Sequence, residues 1–326
     1  MGNALVDVLA KLPKDDILET LGLKKGGMTL VDGNQLDAIR QALQDLECQL
    51  CVGGCAGNMV RAFSLLGGQA GFIGAVGADF YGGFYRESLL KSGISSHLFV
   101  IPDKATGVAS TFISRDTERT FGTHLGAALC MNSKMLSEGL FRGYDYLFIE
   151  GYLVQDHELI LSALQLARKS GTRICLDLAS GNVVAEDLDF FRMLVERYVD
   201  IVFANENEAF ALTGEEPLKA ARTIGEMCSL AVVKMGPKGS VIVSGPEVLT
   251  VEACPVAHVV DTTGAGDCYA AGFIYGLTRN CSLRTCALIG GTLASSVIQV
   301  VGTRLDERES TRLIQLIESY IQEDQI

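Results

Sequence analysis

Positive charge is scarce in this sequence. Lysine and arginine together number 27 against 39 aspartates and glutamates, a formal net charge of −12. Binding to a phosphate backbone draws its affinity from clustered basic residues, and here they are dispersed, so no nucleic-acid partner is expected. Long apolar runs are missing too: no stretch reaches membrane-spanning length. The opening Met1-Gly-Asn-Ala-Leu-Val-Asp7 has no basic region followed by a long apolar run, so neither a signal peptide nor a membrane partner is expected. Nor is there a disulfide framework. The ten cysteines are scattered through apolar stretches such as Arg173-Ile-Cys-Leu-Asp177 and the helical pattern 281–286, which implies a reducing, cytoplasmic setting. Cys48-x-x-Cys51 with nearby Cys55 invites a redox or zinc reading, but no second Cys/His pair follows at finger-like spacing. There is no internal repeat and no low-complexity linker. A Walker loop and the protein-kinase signature set are both absent, and Gly264-Ala-Gly266 lacks the third glycine of a dinucleotide fingerprint.

What is present is apolar residue, 48% of 326 positions, enough to bury one large core without disulfides. A single domain over 1–326 is expected. Short runs rich in β-branched and aromatic residues at 71–76, 146–150, 173–178, 201–204 and 231–235 read as buried strands. Helical patterns lie between them. The segment 157–169 places Leu159, Ile160, Ala163, Leu164 and Ala167 on one stripe, and 190–198 and 218–228 behave likewise. Strand and helix in alternation predict an α/β fold with a mostly parallel central sheet flanked by helices, and ligands beyond the strands' C-terminal ends. Two stretches break the rhythm. Residues 108–114 and 120–123 read as hairpin arms around the polar turn 115–119, and 24–32 can supply a neighbouring strand. They predict a small β-sheet lid within about 8–34 and 97–124. An edge hairpin with no role is the alternative.

The most informative segment is Asp261-Thr-Thr-Gly-Ala-Gly-Asp267, followed at once by an apolar helix pattern over 268–277. Glycines at a helix start let consecutive amides, from about Gly264 through Ala265 and Gly266 to Asp267, point outward together as an anion hole. The helix dipole adds partial positive charge there, suited to a phosphoryl group in transfer. Asp267 would then accept the proton of a substrate hydroxyl. The same dipole stabilises the carboxylate and weakens it as a base, which a loose transition state tolerates. An ordinary capped helix with Asp in its first turn is the plainer alternative.

Three ordered motifs give this segment context. Asp261-Thr-Thr-Gly-Ala-Gly-Asp267 resembles the C-terminal signature of the ribokinase-like (PfkB) carbohydrate and nucleoside kinases, and Gly53-Gly-Cys-Ala-Gly-Asn58 resembles their N-terminal glycine motif. Between them, Asn205-Glu-Asn-Glu208 matches the family's Asn-x-x-Glu. The resemblance extends over nearly the whole chain, including Val232-Val-Lys-Met-Gly-Pro-Lys-Gly239. It implies a ribokinase-like three-layer fold, ATP as phosphate donor, and Mg2+ organised with its waters by Asn205 and Glu208. For the nucleotide it implies Lys234, Gly236, Gly239 and Thr262, with the adenine between the turn 234–239 and the helix 281–300.

Within the family, Gly2-Asn3-Ala4-Leu5-Val6-Asp7 looks most like the adenosine kinase branch, where the matching Asp holds two ribose hydroxyls. The resemblance implies a small-molecule nucleoside or sugar as acceptor. Asp7 and Asn3 would bind it, with Gly53, Gly54 and Asn58 close to the ring. Phe112, Phe121, Leu125 and Tyr152 are candidates to sandwich a base, and simple packing is the alternative for each. Two departures stand out: Gly57 where the branch often carries a larger polar residue, and Cys55 for a common Ser. Met1 stands almost directly on the first motif, where the family shows a preceding half-strand. The resemblance also suggests K+ near Asp261 and Thr263, and Arg119 within reach of phosphates or merely solvated in its turn. Kinases of ribose or fructose, and a catalytically silent binding module, are the competing readings; both a monomer and a homodimer are open.

Overall fold

The β-branched and aromatic runs become strands in the computed structural model, which describes residues 1–116, 118–303 and 305–325. The chain divides into two units, one of Asn3–Gly57 and Phe72–Met131, the other of Met1–Gly2, Asn58–Gly71 and Asn132–Ile326. The first half of the chain carries β1 (Leu5–Lys11), β2 (Met28–Leu30), β3 (Cys48–Gly53), β4 (Gly71–Gly77), β5 (Ser95–Ile101), β6 (Gly107–Ile113) and β7 (Arg119–His124). The second half carries β8 (Tyr146–Glu150), β9 (Arg173–Asp177), β10 (Ile201–Asn205), β11 (Leu230–Lys234), β12 (Ser240–Ser244) and β13 (Glu247–Val251).

In the first unit the expected hairpin is β6 and β7, antiparallel from Val108↔His124 to Ile113↔Arg119. Of its turn, Thr117 lies outside the described residues. The segment expected beside it supplies β2, which joins β7 in parallel. The sheet is wider than the lid segments 8–34 and 97–124, running β2-β7-β6-β1-β3. The added edge is β3, antiparallel to β1 from Leu5↔Gly53 to Ala10↔Cys48, because β1 offers a second edge of unpaired amides and carbonyls that needs a partner. Register fixes the faces. Asp7, Ala109, Thr123 and Leu30 form one cross-strand row, and Leu9, Thr111, Phe121 and Met28 the next on the same face. Ala10, Phe112 and Thr120 point the other way, the side on which a Cβ at Gly122 would meet Ile39 of the helix Gly33–Leu43.

The second unit holds a six-stranded sheet in the order β13-β12-β11-β10-β9-β8. Strands β8 to β11 are parallel and β12 and β13 antiparallel, so the sheet is mostly parallel as expected. Both faces carry helices. Tyr269 and Phe273 of the helix Ala265–Thr278 meet Ser240 and Phe203 on one face. Gly225 of the helix Pro217–Met227 lies against Val243 on the other. These are the three layers of the anticipated α/β fold. The stripe Leu159, Ile160, Ala163, Leu164 and Ala167 is buried in its entirety. All ten cysteines are free thiols, and no described helix is long and apolar enough to cross a membrane.

One buried polar joint secures the first unit. Asp79 caps the helix Phe80–Lys91 through the Gly82 amide at 2.8 Å and accepts from both the amide and hydroxyl of Thr106, at 2.8 and 2.6 Å. The same hydroxyl accepts from the Gly77 amide. Burial pushes the Asp79 carboxyl upward, but the Thr106 and Gly82 hydrogen bonds outweigh it and hold it below its ordinary value. Asp79→Ala should lower unfolding stability in urea by roughly 2 to 4 kcal/mol. A loss under about 0.5 kcal/mol would show that the joint contributes little.

Candidate active site

Each of β8 to β11 is an apolar run that closes on a polar residue: Glu150, Asp177, Asn205 and Lys234. Register pairs Glu150 with Asp177 and Asn205 with Lys234, while Phe203, opposite Asp177, stands two residues before Asn205. Alternation therefore sends all four side chains to one face, where Phe203 packs on Phe273. The helix Ala265–Thr278 lies on that face, so its N-terminus, about 12 Å up its axis from Phe273, reaches the row of polar ends. Lys234 Nζ donates to Asp177 Oδ2 at 3.0 Å. The other Asp177 oxygen accepts from the Ala179 amide at 2.9 Å, stabilising a left-handed φ of 64° that a non-glycine rarely adopts.

The glycine turn sits against this row. Gly264 has φ +72°, and a Cβ on it would lie 2.3 Å from Thr303 Cγ2; a Cβ on Gly266 would lie 3.0 Å from Lys234 Nζ. Both glycines thus make room for neighbours as well as for the turn. Asp261 Oδ1 accepts from the Thr263 amide at 3.0 Å and Oδ2 from the Gly302 amide at 2.8 Å. The residue expected beside K+ thus clamps two loops through backbone amides. The Ala265 amide turns back to the Thr262 carbonyl at 3.2 Å. Gly264, Gly266 and Asp267 are the other amides at this helix start that no helical carbonyl precedes.

Asp267 is 8% exposed, and its Oδ2 accepts from Asn58 Nδ2 at 3.0 Å. Asn58 Oδ1 in turn accepts from the Thr303 hydroxyl at 3.1 Å. Burial above all, then the Asp177 charge, pushes the Asp267 carboxyl up to about 7, against the Asn58 hydrogen bond, the Lys234 charge and the N-terminal dipole. The carboxylate expected from the dipole alone to hold a proton weakly holds one more strongly, because tertiary burial outweighs a local field. At Lys234 burial acts downward, but Asp177, Glu208 and Asp267 prevail and hold the ammonium above its ordinary value.

Asn205 and Glu208 form a capping box at the helix Glu206–Thr213. The Asn205 amide and Nδ2 donate to the two Glu208 oxygens at 2.7 and 2.6 Å, and the Glu208 amide donates to Asn205 Oδ1 at 2.9 Å. Burial and then Asp177 push the Glu208 carboxyl upward. Among the described residues no group of three or more His, Cys, Asp or Glu could hold a metal ion. A carboxylate with both oxygens already accepting protons suits a magnesium ion held through its own waters rather than one caged by protein.

The N-terminal motif builds a site of its own in the first unit. A Cβ on Gly53 would lie 2.0 Å from Asp7 Oδ1, and one on Gly54, at φ +80°, 2.3 Å from the Asn3 carbonyl. Gly53 thus leaves room for the Asp7 carboxylate and Gly54 for the Asn3 carbonyl. The departure at Gly57 has a steric cause: its Cβ would lie 2.6 Å from the Tyr85 hydroxyl, which fills that space and donates to the Gly53 carbonyl at 3.4 Å. Of the base-pocket candidates, Phe112 is fully buried on the face opposite Asp7 and offers no surface to a ligand. Phe121 is half-buried on the Asp7 face, and Leu125 and Tyr152 are half-buried. Asn58, expected on the sugar, has its amide engaged with Asp267 and Thr303.

Gly236 and Gly239 have positive φ, and a Cβ on Gly239 would lie 1.9 Å from the Val251 carbonyl, so they shape the β11–β12 connection. Thr262 is exposed. Glu150, Asp177 and Thr303 escaped the motif reading. The signal for the first two was an acidic residue closing an apolar strand; Thr303 left none.

A family profile described as "pfkB family carbohydrate kinase" matches residues 35–310. The adenosine kinase of Saccharomyces cerevisiae is 29% identical over 324 residues, covering 93% of this chain and 94% of that protein. The solved structure of adenosine kinase from Sinorhizobium meliloti superposes with a TM-score of 0.87 at 31% identity, over 97% of each chain. A probable sugar kinase protein from Rhizobium etli does so with a TM-score of 0.87 at 30% identity, over 97% of this chain and 96% of that one.

With the Asp267 carboxyl moved from 3.8 to about 7, the folded state holds a proton that the unfolded state releases. The stability this confers is fully present below the unfolded value and is lost as pH rises through about 7. Asp267→Asn removes the dependence. The variant should gain stability over the parent between pH 4 and 8, by roughly 2 to 4 kcal/mol across the window. A constant offset in denaturation curves over that range would refute the raised carboxyl.

Proposed function

The chain belongs to the pfkB family of carbohydrate kinases, and we propose that it moves the γ-phosphoryl group of ATP to the primary hydroxyl of an adenosine-like nucleoside. Phosphotransfer to an alcohol with ATP as donor goes with the family; the acceptor is the proposed part. What supports a nucleoside is the Asp7 face of the five-stranded sheet. Asp7 can accept from both hydroxyls of a vicinal diol. Along the same face, two strand spacings or about 10 Å away, lies Phe121 of β7, and one spacing beyond it the β2 pair Met28 and Leu30, each of the two 55% exposed. A planar base joined to a ribose spans the separation to Phe121 and would cover that ring. A free sugar would use Asp7 and leave it bare.

The chemistry follows from Asp267 and the glycine turn. The acceptor oxygen attacks the γ-phosphorus, the bond to the bridging oxygen breaks, ADP leaves with that electron pair, and the hydroxyl proton passes to the Asp267 carboxylate. The Gly266 and Asp267 amides face the charge on the phosphoryl oxygens, and the Lys234 ammonium behind Gly266 offsets the neighbouring carboxylates. Asn205 and Glu208 would hold water-clad Mg2+, which neutralises phosphate charge when bound. Asn3 would frame the diol site from behind Gly54, and Gly236, Gly239 and Thr262 are proposed to border the nucleotide.

ATP consumption measured with adenosine, inosine, ribose and fructose in the presence of magnesium should show nucleoside turnover well above either sugar. Phe121→Asp should then raise the nucleoside KM about tenfold or more. Turnover of ribose or fructose alone would overturn the acceptor and leave the phosphotransfer chemistry standing. Asp267→Ala should lower kcat by a factor on the order of 10² to 10⁴ while the fold persists. A near-parental rate in that variant would remove Asp267 as the base.

A further inference from the structure

We propose that Thr303 and Asn58 form a hydrogen-bond relay that fixes the carboxylate of Asp267, making both of them positioning residues for proton removal from the acceptor. The inference rests on the phosphotransfer reading above. Asn58, 6% exposed, lies in the helix Cys55–Leu65. Its amide has one accepting and one donating end, and the carboxylate it faces can only accept. The Nδ2 end therefore belongs on Asp267 Oδ2, at 3.0 Å, and the Oδ1 end on the Thr303 hydroxyl, at 3.1 Å. With Thr303 donating, a flipped amide would set acceptor against acceptor at Asp267 and donor against donor at Thr303.

Two further contacts hold the relay in place. The absent side chain of Gly264 leaves the space filled by Thr303 Cγ2, where a Cβ would come within 2.3 Å. The loop bearing Thr303 is tied down at the preceding residue, where the Gly302 amide donates to Asp261 Oδ2 at 2.8 Å. The charged groups around the Asp267 carboxyl are Asp177 and Glu150, which disfavour its ionisation, and Lys234, which favours it together with the Asn58 donor. Removing the orienting hydroxyl weakens the one hydrogen bond from Asn58 that stabilises the ionised base.

The test compares Thr303→Val, which keeps the methyl over Gly264, with Thr303→Ser, which keeps the hydroxyl. Steady-state kinetics across pH should show kcat in the Val variant falling about three- to tenfold with the acceptor KM unchanged. The acid limb of its kcat profile should move to higher pH, and the Ser variant should return close to parental values. A rise in acceptor KM at unchanged kcat overturns the relay by placing Asn58 on the substrate. Equal losses in both variants, or no change in either, overturn it as well. If the parent phosphorylates no alcohol, the phosphotransfer reading fails separately. The relay is then read from the Asp267 carboxyl titration followed by NMR, which must move to higher pH in Thr303→Val; an unmoved titration overturns the proposal.

Discussion

Four carboxylates, those of Glu150, Asp177, Glu208 and Asp267, are each less than a tenth exposed; the last three act on the ammonium of Lys234, and Glu150 stands beside Asp177 at the C-terminal end of the neighbouring parallel strand. Buried like charges cannot all ionise without compensation. The second unit meets that constraint in two ways. Lys234 bonds directly to Asp177, whose oxygens are otherwise turned onto backbone, and burial with the remaining repulsion falls on Glu208 and Asp267, which keep their protons to higher pH. A carboxyl that titrates near neutrality can both hold and take a proton under ordinary conditions, which a base must do.

The glycines of both motifs serve this arrangement by omission. Gly266 lacks a side chain where the Lys234 ammonium lies and Gly264 where the Thr303 methyl lies, so the turn's amides can face outward while its inner side is filled by other residues. In the first unit the same logic places the Asp7 carboxylate over Gly53 and the Asn3 carbonyl over Gly54. Conformational freedom explains Gly264 and Gly54, whose φ is positive. It does not explain Gly53 or Gly266, where the requirement is space. A substitution at these two would displace a charged group rather than strain a turn.

Much of the fold was legible because parallel strands buried on both faces must be continuous apolar runs, and 146–150 and the stripe from Leu159 to Ala167 have no competing interpretation. The place of Asp267 in the first turn of its helix was legible because glycine spacing at a helix start is a local signal. The remainder depends on register and distance along the chain. Phe112 and Phe121 are equivalent in sequence, and the pairing of β6 with β1 and β7 alone sends them to opposite faces. Asp177 looks like any acidic residue ending a strand until Lys234, 57 residues on, donates to it. The Asn58 hydrogen bond to Asp267 left no trace in the sequence, because nothing nearby announces a partner 209 residues away.

Asn205 and Glu208 form a capping box whose choice of acid capping alone does not explain. A capping box satisfies backbone amides at a helix start and is common on protein surfaces, where its acid is solvated. Glutamine in the third position caps the same backbone amide and buries no ionisable group. Here the acid is 4% exposed, beside Asp177, in surroundings that oppose its charge. Capping therefore does not account for glutamate over glutamine, and the burial makes glutamate the less stable choice for the free protein. In the proposed function, what glutamate adds is a negative charge that would appear when a cation enters and relieves the repulsion, so the residue would favour the loaded site at the expense of the empty one.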